Sequence, residues 1–339
     1  MAAFAQAVPL GANVDTIVSI VDSAISAPPC AMLVAAIAYT LHSLSQPWFI
    51  IYISVFALRS VFILGSKAMA KPAKVDWAQQ VVVLTGGAHG IGLRLLQKLG
   101  TTGARIAVID ILDVPMRQSD NMSFYKCDLA DSKQLDTTVS EITATLGTPT
   151  MLINNAGTLC PRLVHEQTAA EVDQVIGVNL VAPAQLTRQL LPGMLGSPSA
   201  HIVFISSALA FIGVPQLATY TASKAAITLF YESLKLEIRH RLNASHIKTT
   251  IFFPSKVETG MFNGLQLPRW LSPELSTETV ADRIFAALDT AQSGEVYMPA
   301  FANLVPLYLF FPQFVRDIAN WFANSIETMR TYKGYTTKC

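Results

Sequence analysis

The chain is short of charge. Asp, Glu, Lys and Arg make up 14% of its 339 residues, against roughly 25% in an ordinary soluble domain. The charges it has nearly cancel, 24 basic against 23 acidic for a formal net charge of +1. No global field therefore draws in nucleic acid, and that class of partner is excluded. Cysteine is also sparse. Cys30, Cys127, Cys160 and Cys339 show neither paired nor metal-ligand spacing, which argues against a disulfide framework or a zinc site and for a reducing compartment. No Lys or Arg precedes Arg59, so the positive front of a cleaved secretory signal is missing. Internal repeats and low-complexity stretches are lacking too, and Gly193 to Ser199 reads as a turn-rich connector.

Apolar residues fill the gap. They reach 51% of the chain, with a mean hydropathy of +0.40, a balance that suggests membrane contact. From Ala31 to Leu64 the sequence is mostly apolar, broken by His42 to Pro47. The first piece, Ala31 to Leu41, is too short to cross a bilayer alone. The second, Trp48 to Leu64, covers about 26 Å as a helix, just under the roughly 30 Å of hydrocarbon, and Arg59 near its end is placed to snorkel. A retained N-terminal hydrophobic membrane anchor is expected here. A buried helical hairpin is the alternative. Arg59, Lys67, Lys71 and Lys74 end or follow the apolar stretch, whereas Asp15 and Asp22 are the only charges before it; the positive-inside rule then turns the following domain to the cytosol. Asn121-Met-Ser123 and Asn243-Ala-Ser245 are formal glycosylation sequons that stay unmodified in that topology.

Between Gln80 and Met298, short Val/Ile-rich runs alternate with longer helical patterns, the signature of β-α-β units and a mostly parallel sheet. Strands fit Gln80 to Leu84, Arg105 to Ile109, Ser123 to Lys126, Met151 to Asn154, His201 to Ser206, Lys248 to Phe253 and Glu295 to Met298. Helices fit Gly90 to Thr101, Ser132 to Leu146, Ala169 to Leu195, Ala218 to Leu242 and Thr277 to Ala291. The expectation is one doubly wound α/β domain with a seven-stranded parallel sheet over residues 76–299, an anchor region over 1–75, and an apolar C-terminal extension over 300–339.

The first strand runs into Thr85-Gly-Gly-Ala-His-Gly-Ile-Gly92, the strand, tight turn and helix start that a dinucleotide fingerprint requires. Gly86 lets the chain turn, Gly90 and Ile91 bring backbone amides to the pyrophosphate, and Gly92 lets helix and sheet pack closely. Asp110 ends the second strand, where a carboxylate accepts both ribose hydroxyls of NAD and repels the 2′-phosphate of NADP. NAD is the expected cofactor. Asp128, after the third strand, is placed to accept from the adenine amino group. In Asn154-Asn155-Ala156-Gly157 the small residues let a nucleotide lie against the backbone, and the asparagines are suited to tying strands together.

Tyr220 and Lys224 stand in Tyr-x-x-x-Lys spacing, with Ser207 thirteen residues before the tyrosine. Tyr231 and Lys235 repeat the spacing, but thirteen residues before Tyr231 is Ala218, which has no hydroxyl. Together with Asn179 and the two glycine-bearing motifs, the first set resembles the short-chain dehydrogenase/reductase family over about Val81 to Met298. That resemblance implies a Rossmann-type fold and hydride transfer between a nicotinamide and a carbon bearing oxygen. It makes Tyr220 the general acid/base, Lys224 the cation that favours its phenolate and binds the nicotinamide ribose, Ser207 the holder of the substrate oxygen and Asn179 the support of a water relay. Val257 and Thr259 match the stretch that touches the nicotinamide carboxamide, although Pro254-Ser255 stands where family members often have Pro-Gly.

Residues 208–219 carry no charge, and Thr259 to Leu271, with Met261, Phe262, Leu265, Leu267 and Trp270, lies where the family places its substrate lid. Val315, Ile318, Ala319, Phe322 and Ile326 then recur at helical spacing, as core, dimer face or second membrane contact. A lipophilic substrate taken from the bilayer follows. The anchor, Asp110 and the apolar tail resemble the membrane-bound retinol and 17-beta-hydroxysteroid dehydrogenase branch, which implies the endoplasmic reticulum or a lipid droplet; homodimerisation stays open. Two other readings remain: an NADPH-dependent long-chain ketolipid reductase, against which Asp110 counts, and a catalytically idle membrane scaffold, against which the complete tetrad counts.

Overall fold

The structure is a computed structural model that describes residues 74–116, 120–262, 274–323, 325–330 and 332. The expected anchor, the lid residues Leu265, Leu267 and Trp270, and Cys30 and Cys339 lie outside the described residues. Among the described residues no helix is long and apolar enough to cross a membrane.

Seven strands form one parallel sheet: β1 (Val81–Thr85), β2 (Arg105–Asp110), β3 (Met122–Lys126), β4 (Met151–Asn154), β5 (Ala200–Ile205), β6 (Ile247–Pro254) and β7 (Gly294–Met298). Their order is β3-β2-β1-β4-β5-β6-β7. The chain thus builds outward from β1 in one direction and then returns to build outward in the other. The crevice between the carboxyl ends of β1 and β4 is the switch point at which such sheets bind ligands.

The strands read as continuous apolar runs because both faces are covered. Val81 and Val83 enter one core with Leu135, Leu186 and Ile227; Val82 and Leu84 enter the other with Leu95, Leu96, Ile284 and Leu288. The first face is packed by α2 (Ser132–Leu146), α4 (Ala182–Leu195) and α5 (Ala218–His240), the second by α1 (Gly90–Leu99) and α6 (Thr277–Asp289). Side-chain caps fix helix starts: Asp131 accepts from Lys133 N and Gln134 N to begin α2, and Ser276 accepts from Thr279 N to begin α6.

The single helix expected over Ala169 to Leu195 is interrupted. It consists of α3 (Ala169–Ile176), a π-helical turn (Gly177–Val181) and α4. Pro183 lacks the N–H that an α-ladder would give to the carbonyl of Asn179, so covalent structure breaks the ladder there. In the turn, Ala182 N–H reaches back to Gly177 O.

After β7 come a 3₁₀ stretch (Ala300–Phe310) and α7 (Gln313–Phe322). The expected helical repeat therefore ends at Phe322, and Ile326 lies in a turn beyond it.

Candidate active site

The glycine-rich turn leaves β1 at Gly86 (φ +71°) and enters α1 at Gly90 (φ +55°), left-handed backbone that other side chains resist. Gly92 is demanded by space. A Cβ there would fall 1.8 Å from Gly86 O and 2.6 Å from Asn155 Nδ2. At Gly86 it would lie 2.8 Å from Ala156 Cα, and at Gly90 3.1 Å from Thr259 Cγ2. No side chain caps α1, whose N-cap is His89. Its first amides and dipole end are thus presented to an anion, beside a cradle that side chains would fill. Ile91 packs its side chain on the core behind the turn.

Asp110 does two jobs. Its Oδ2 accepts from Ala88 N at 2.8 Å and its Oδ1 from Leu112 N at 3.0 Å, so the carboxylate expected to meet a ribose also shapes the glycine turn. A carboxylate offers about four lone-pair sites, which leaves acceptor capacity for two hydroxyls. Asp128 Oδ1 accepts from Ala130 N at 2.9 Å and Gln174 Nε2 at 3.4 Å, which holds the loop after β3 at the rim of the same crevice.

The strand tie expected of the asparagine pair belongs to Asn155. Its Nδ2 donates to Thr85 O and Gly86 O, each at 2.9 Å. Thr85 Oγ1 completes the clamp by accepting from Asn155 N at 3.1 Å and Ala156 N at 3.0 Å, a role that its place in the glycine motif did not announce. Asn154 is buried, and its amide has no partner among the described residues; nothing in the structure explains this. Gly157 lies beside the reacting groups: a Cβ there would be 3.5 Å from Lys224 Nζ and 3.6 Å from Asn179 Oδ1.

The tetrad is brought together by β4, the π turn, β5 and α5. Asn179 Oδ1 accepts from Thr158 N at 2.8 Å, while its Nδ2 donates to Thr158 O and Ser223 Oγ, both at 2.9 Å. Its side chain is thus committed to fixing the loop after β4 to α5. Ser223 had no place in the sequence reading, yet it links Asn179 to Tyr220 by donating to Tyr220 O at 2.7 Å. Ser207 follows β5 and caps a short 3₁₀ turn by accepting from Leu209 N, and its side chain favours the ionised form of the Tyr220 phenol. Lys224, one turn along α5 from Tyr220, donates to Ile205 O at 2.9 Å, and its Nζ sits 5.7 Å from the Tyr220 ring centre.

The resemblance has Lys224 and an oxidised nicotinamide together favour the Tyr220 phenolate, and in the protein by itself burial works against that form. Burial pushes the Tyr220 phenol up to about 12, with the Ser207 side chain opposing it. Burial also pulls Lys224 down to about 8. Desolvation penalises the charged form of each group and outweighs the attraction between them in the protein by itself. The Val257 side chain packs in the core, so it is the backbone of that residue that is free to meet a ligand. Thr259 lies against the Gly90 turn.

The apolar surroundings of Tyr220 include residues that sequence reading did not place there. Leu159, Leu217, Tyr220 and Met329 form one cluster, with Met261, Phe262 and Tyr332 packed against it. The Phe262 ring meets Tyr220 edge-on at 5.8 Å. No motif or periodicity marks Met329 or Tyr332.

An uncapped helix start, a side-chain-free turn and a strand-end carboxylate at the switch point define a dinucleotide-binding oxidoreductase of the Rossmann type. A family model for short chain dehydrogenase matches residues 80–269, and the chain belongs to that family, NAD(P)-dependent oxidoreductases that act on CH-OH donors. Short-chain dehydrogenase/reductase family 16C member 6 of Bos taurus is 31% identical over 271 residues, covering 77% of this chain and 82% of that one. The 17-beta-hydroxysteroid dehydrogenase 13 of Homo sapiens is 25% identical over 259 residues, covering 73% and 84%. Among solved structures, a short chain dehydrogenase from Burkholderia cenocepacia in complex with NADP superposes with a TM-score of 0.59 at 24% identity, covering 71% of this chain and 96% of that one. A short-chain dehydrogenase/reductase from Burkholderia phymatum in complex with NAD gives 0.59 at 23%, covering 69% and 94%. At such identities the solved structures speak to the fold alone.

Proposed function

We propose that this chain is an NAD-preferring dehydrogenase that interconverts a lipophilic alcohol, of retinoid or steroid type, with its ketone or aldehyde at a membrane surface. The observation that carries the reading is the setting of Tyr220: a 5% exposed hydroxyl-bearing ring paired with Ser207 and enclosed by Leu159, Leu217 and Phe262. An alcohol reaching these two hydroxyls brings its carbon skeleton into apolar surroundings. The name of the human relative, a 17-beta-hydroxysteroid dehydrogenase, agrees with a substrate of that chemistry.

The residues divide the work. Ser207 holds the substrate oxygen, Tyr220 takes the hydroxyl proton in oxidation and returns it in reduction, and Lys224 steadies the charge that develops on Tyr220. Gly86, Gly90, Ile91 and Gly92 would hold the pyrophosphate, Asp110 the ribose, Asp128 the adenine, and Ala156, Gly157, Val257 and Thr259 the nicotinamide side. The cofactor supplies the hydride acceptor or donor and, when oxidised, a positive charge near Tyr220. Asp110 supports NAD over NADP because its charge disfavours a 2′-phosphate.

Membrane attachment rests on the apolar stretch from Ala31 to Leu64 and on the exposure of Leu309, Phe310, Trp321 and Phe322 in the C-terminal extension. The endoplasmic reticulum or a lipid droplet, with the catalytic domain facing the cytosol, fits the charge asymmetry around the anchor. The test is binding of NADH and NADPH to detergent-purified full-length protein by nicotinamide fluorescence, followed by turnover with all-trans-retinol, a steroid alcohol and 3-ketosphinganine. Tighter NADH binding with alcohol oxidation is expected. NADPH preference with ketone reduction would replace this reading by the ketolipid reductase, and loss of both activities by the idle scaffold. Removal of residues 1–70 is expected to release the protein from membranes; continued association would place the attachment in the C-terminal extension.

A further inference from the structure

Resting on the proposed reaction, we propose that residues 325–330 together with Tyr332 form a wall of the substrate cavity, and that Met329 sets the size of the apolar group accepted beside the reacting carbon. The carbon must come within about 3–3.5 Å of its reaction partners, so its substituents occupy the space around the Tyr220 and Ser207 hydroxyls. Met329 is a member of the apolar cluster that encloses Tyr220. It is 1% exposed, whereas Ile326, three residues earlier, is 52% exposed. The segment therefore turns one side inward to the site and the other out.

Hydrogen bonds hold the segment at its start and at its end. Ser325 Oγ donates to Asn320 O at 3.1 Å, and Tyr332 OH donates to Met261 O at 3.1 Å. The second tie joins the tail to the first residues of the lid, next to Phe262. A cation or a rigid aromatic ring at 329 would suit a fixed small substrate. Methionine, unbranched and polarizable, fits itself to irregular apolar shapes, as a wall facing ring systems of differing outline requires. The segment also lies outside residues 80–269, the part matched by the family model, so this wall belongs to the chain's own extension.

The experiment compares the full-length protein with Met329→Ala, Met329→Leu and Met329→Trp on cyclohexanol, decahydronaphthol and a steroid alcohol. Met329→Ala is expected to raise kcat/KM for the largest alcohol relative to the smallest by about tenfold, in line with the modest discrimination that apolar pockets give. Met329→Trp is expected to lower the same ratio, and Met329→Leu to leave it near wild type, with NADH affinity by nicotinamide fluorescence equal in all four. A purely structural role would shift thermal midpoints and depress every substrate by one factor; that result overturns the proposal. If the wild type turns over none of the alcohols, the proposed reaction fails on its own account. The wall is then read from the thermal shift produced by a steroid ketone with NADH: loss of that shift in Met329→Trp supports it, and an unchanged shift overturns it.

Discussion

The side-chain amide of Asn179 grips both backbone groups of one residue, accepting from Thr158 N at 2.8 Å and donating to Thr158 O at 2.9 Å. It is the geometry of one rung of a sheet, made by a side chain from a π turn. Replacing Asn179 by Ala is expected to leave these buried groups unpaired and to cost about 1–3 kcal/mol for each one left unsatisfied. Chemical denaturation measures the loss, and NADH affinity is expected to fall with it because Gly157 sits on the freed loop.

Tyr220→Phe removes one hydroxyl from a ring already packed against Phe262. Turnover is expected to drop by about 10²–10⁴-fold, while NADH binding by fluorescence stays near wild type. A variant with full turnover would remove Tyr220 from the chemistry.

The depressed Lys224 makes stability pH-dependent with a definite sign. Below about 8, its value in the folded protein, the lysine is charged in both states and the fold bears the full burial penalty. As pH rises from about 8 toward the ordinary 10.5, the folded state has released a proton that the unfolded chain still holds, so stability rises. Lys224→Met lacks this gain. Its denaturation midpoint relative to wild type is expected to fall between pH 7 and pH 10; equal pH slopes would show that Lys224 keeps an ordinary value.

Asp110→Ser is expected to raise the NADP to NAD ratio of kcat/KM by roughly tenfold or more through loss of the repelling charge. Affinity for both cofactors falls as well, because Ala88 N loses its 2.8 Å acceptor. Steady-state kinetics with each cofactor separates the two effects.

Gly92→Ala brings a methyl group to 1.8 Å from Gly86 O, a backbone atom that cannot step aside. Loss of NADH binding and of soluble protein is expected. Gly196→Ala, whose nearest atom would be 3.7 Å away, serves as the tolerated control on expression yield and thermal midpoint.

The sheet was legible because its strands are buried on both faces, which leaves runs such as Val81 to Leu84 with no polar residue to confuse the pattern. The helix α2 and the strand β4 fall on the expected residues, the former because Asp131 and Gly147 mark its two ends. The π turn was hidden for a physical reason. Val175, Val178, Ala182, Leu186 and Leu190 keep three- and four-residue spacing straight through it, so apolar periodicity carries no trace of the extra residue.

The candidate tetrad was legible through its joint spacing, whereas the groups that hold it were not. Asn154 and Asn155 are indistinguishable as types, and only the pleat decides which one meets Thr85. Ser223 is one small polar residue among several on α5. Burial of Met329 comes from tertiary contact with residues more than a hundred positions away, such as Leu159 and Leu217, and a turn has no period to betray it.

The π turn makes the aim of Asn179 a matter of counting. Each residue of a helix advances the next by about 100° around the axis, so one residue fewer between Gly177 and Val181 would let α3 and α4 share a register only by swinging Asn179 away from Thr158. Chain length here is therefore as strict a requirement as residue identity: removing one residue from this turn would re-aim Asn179 and release the loop that carries Thr158.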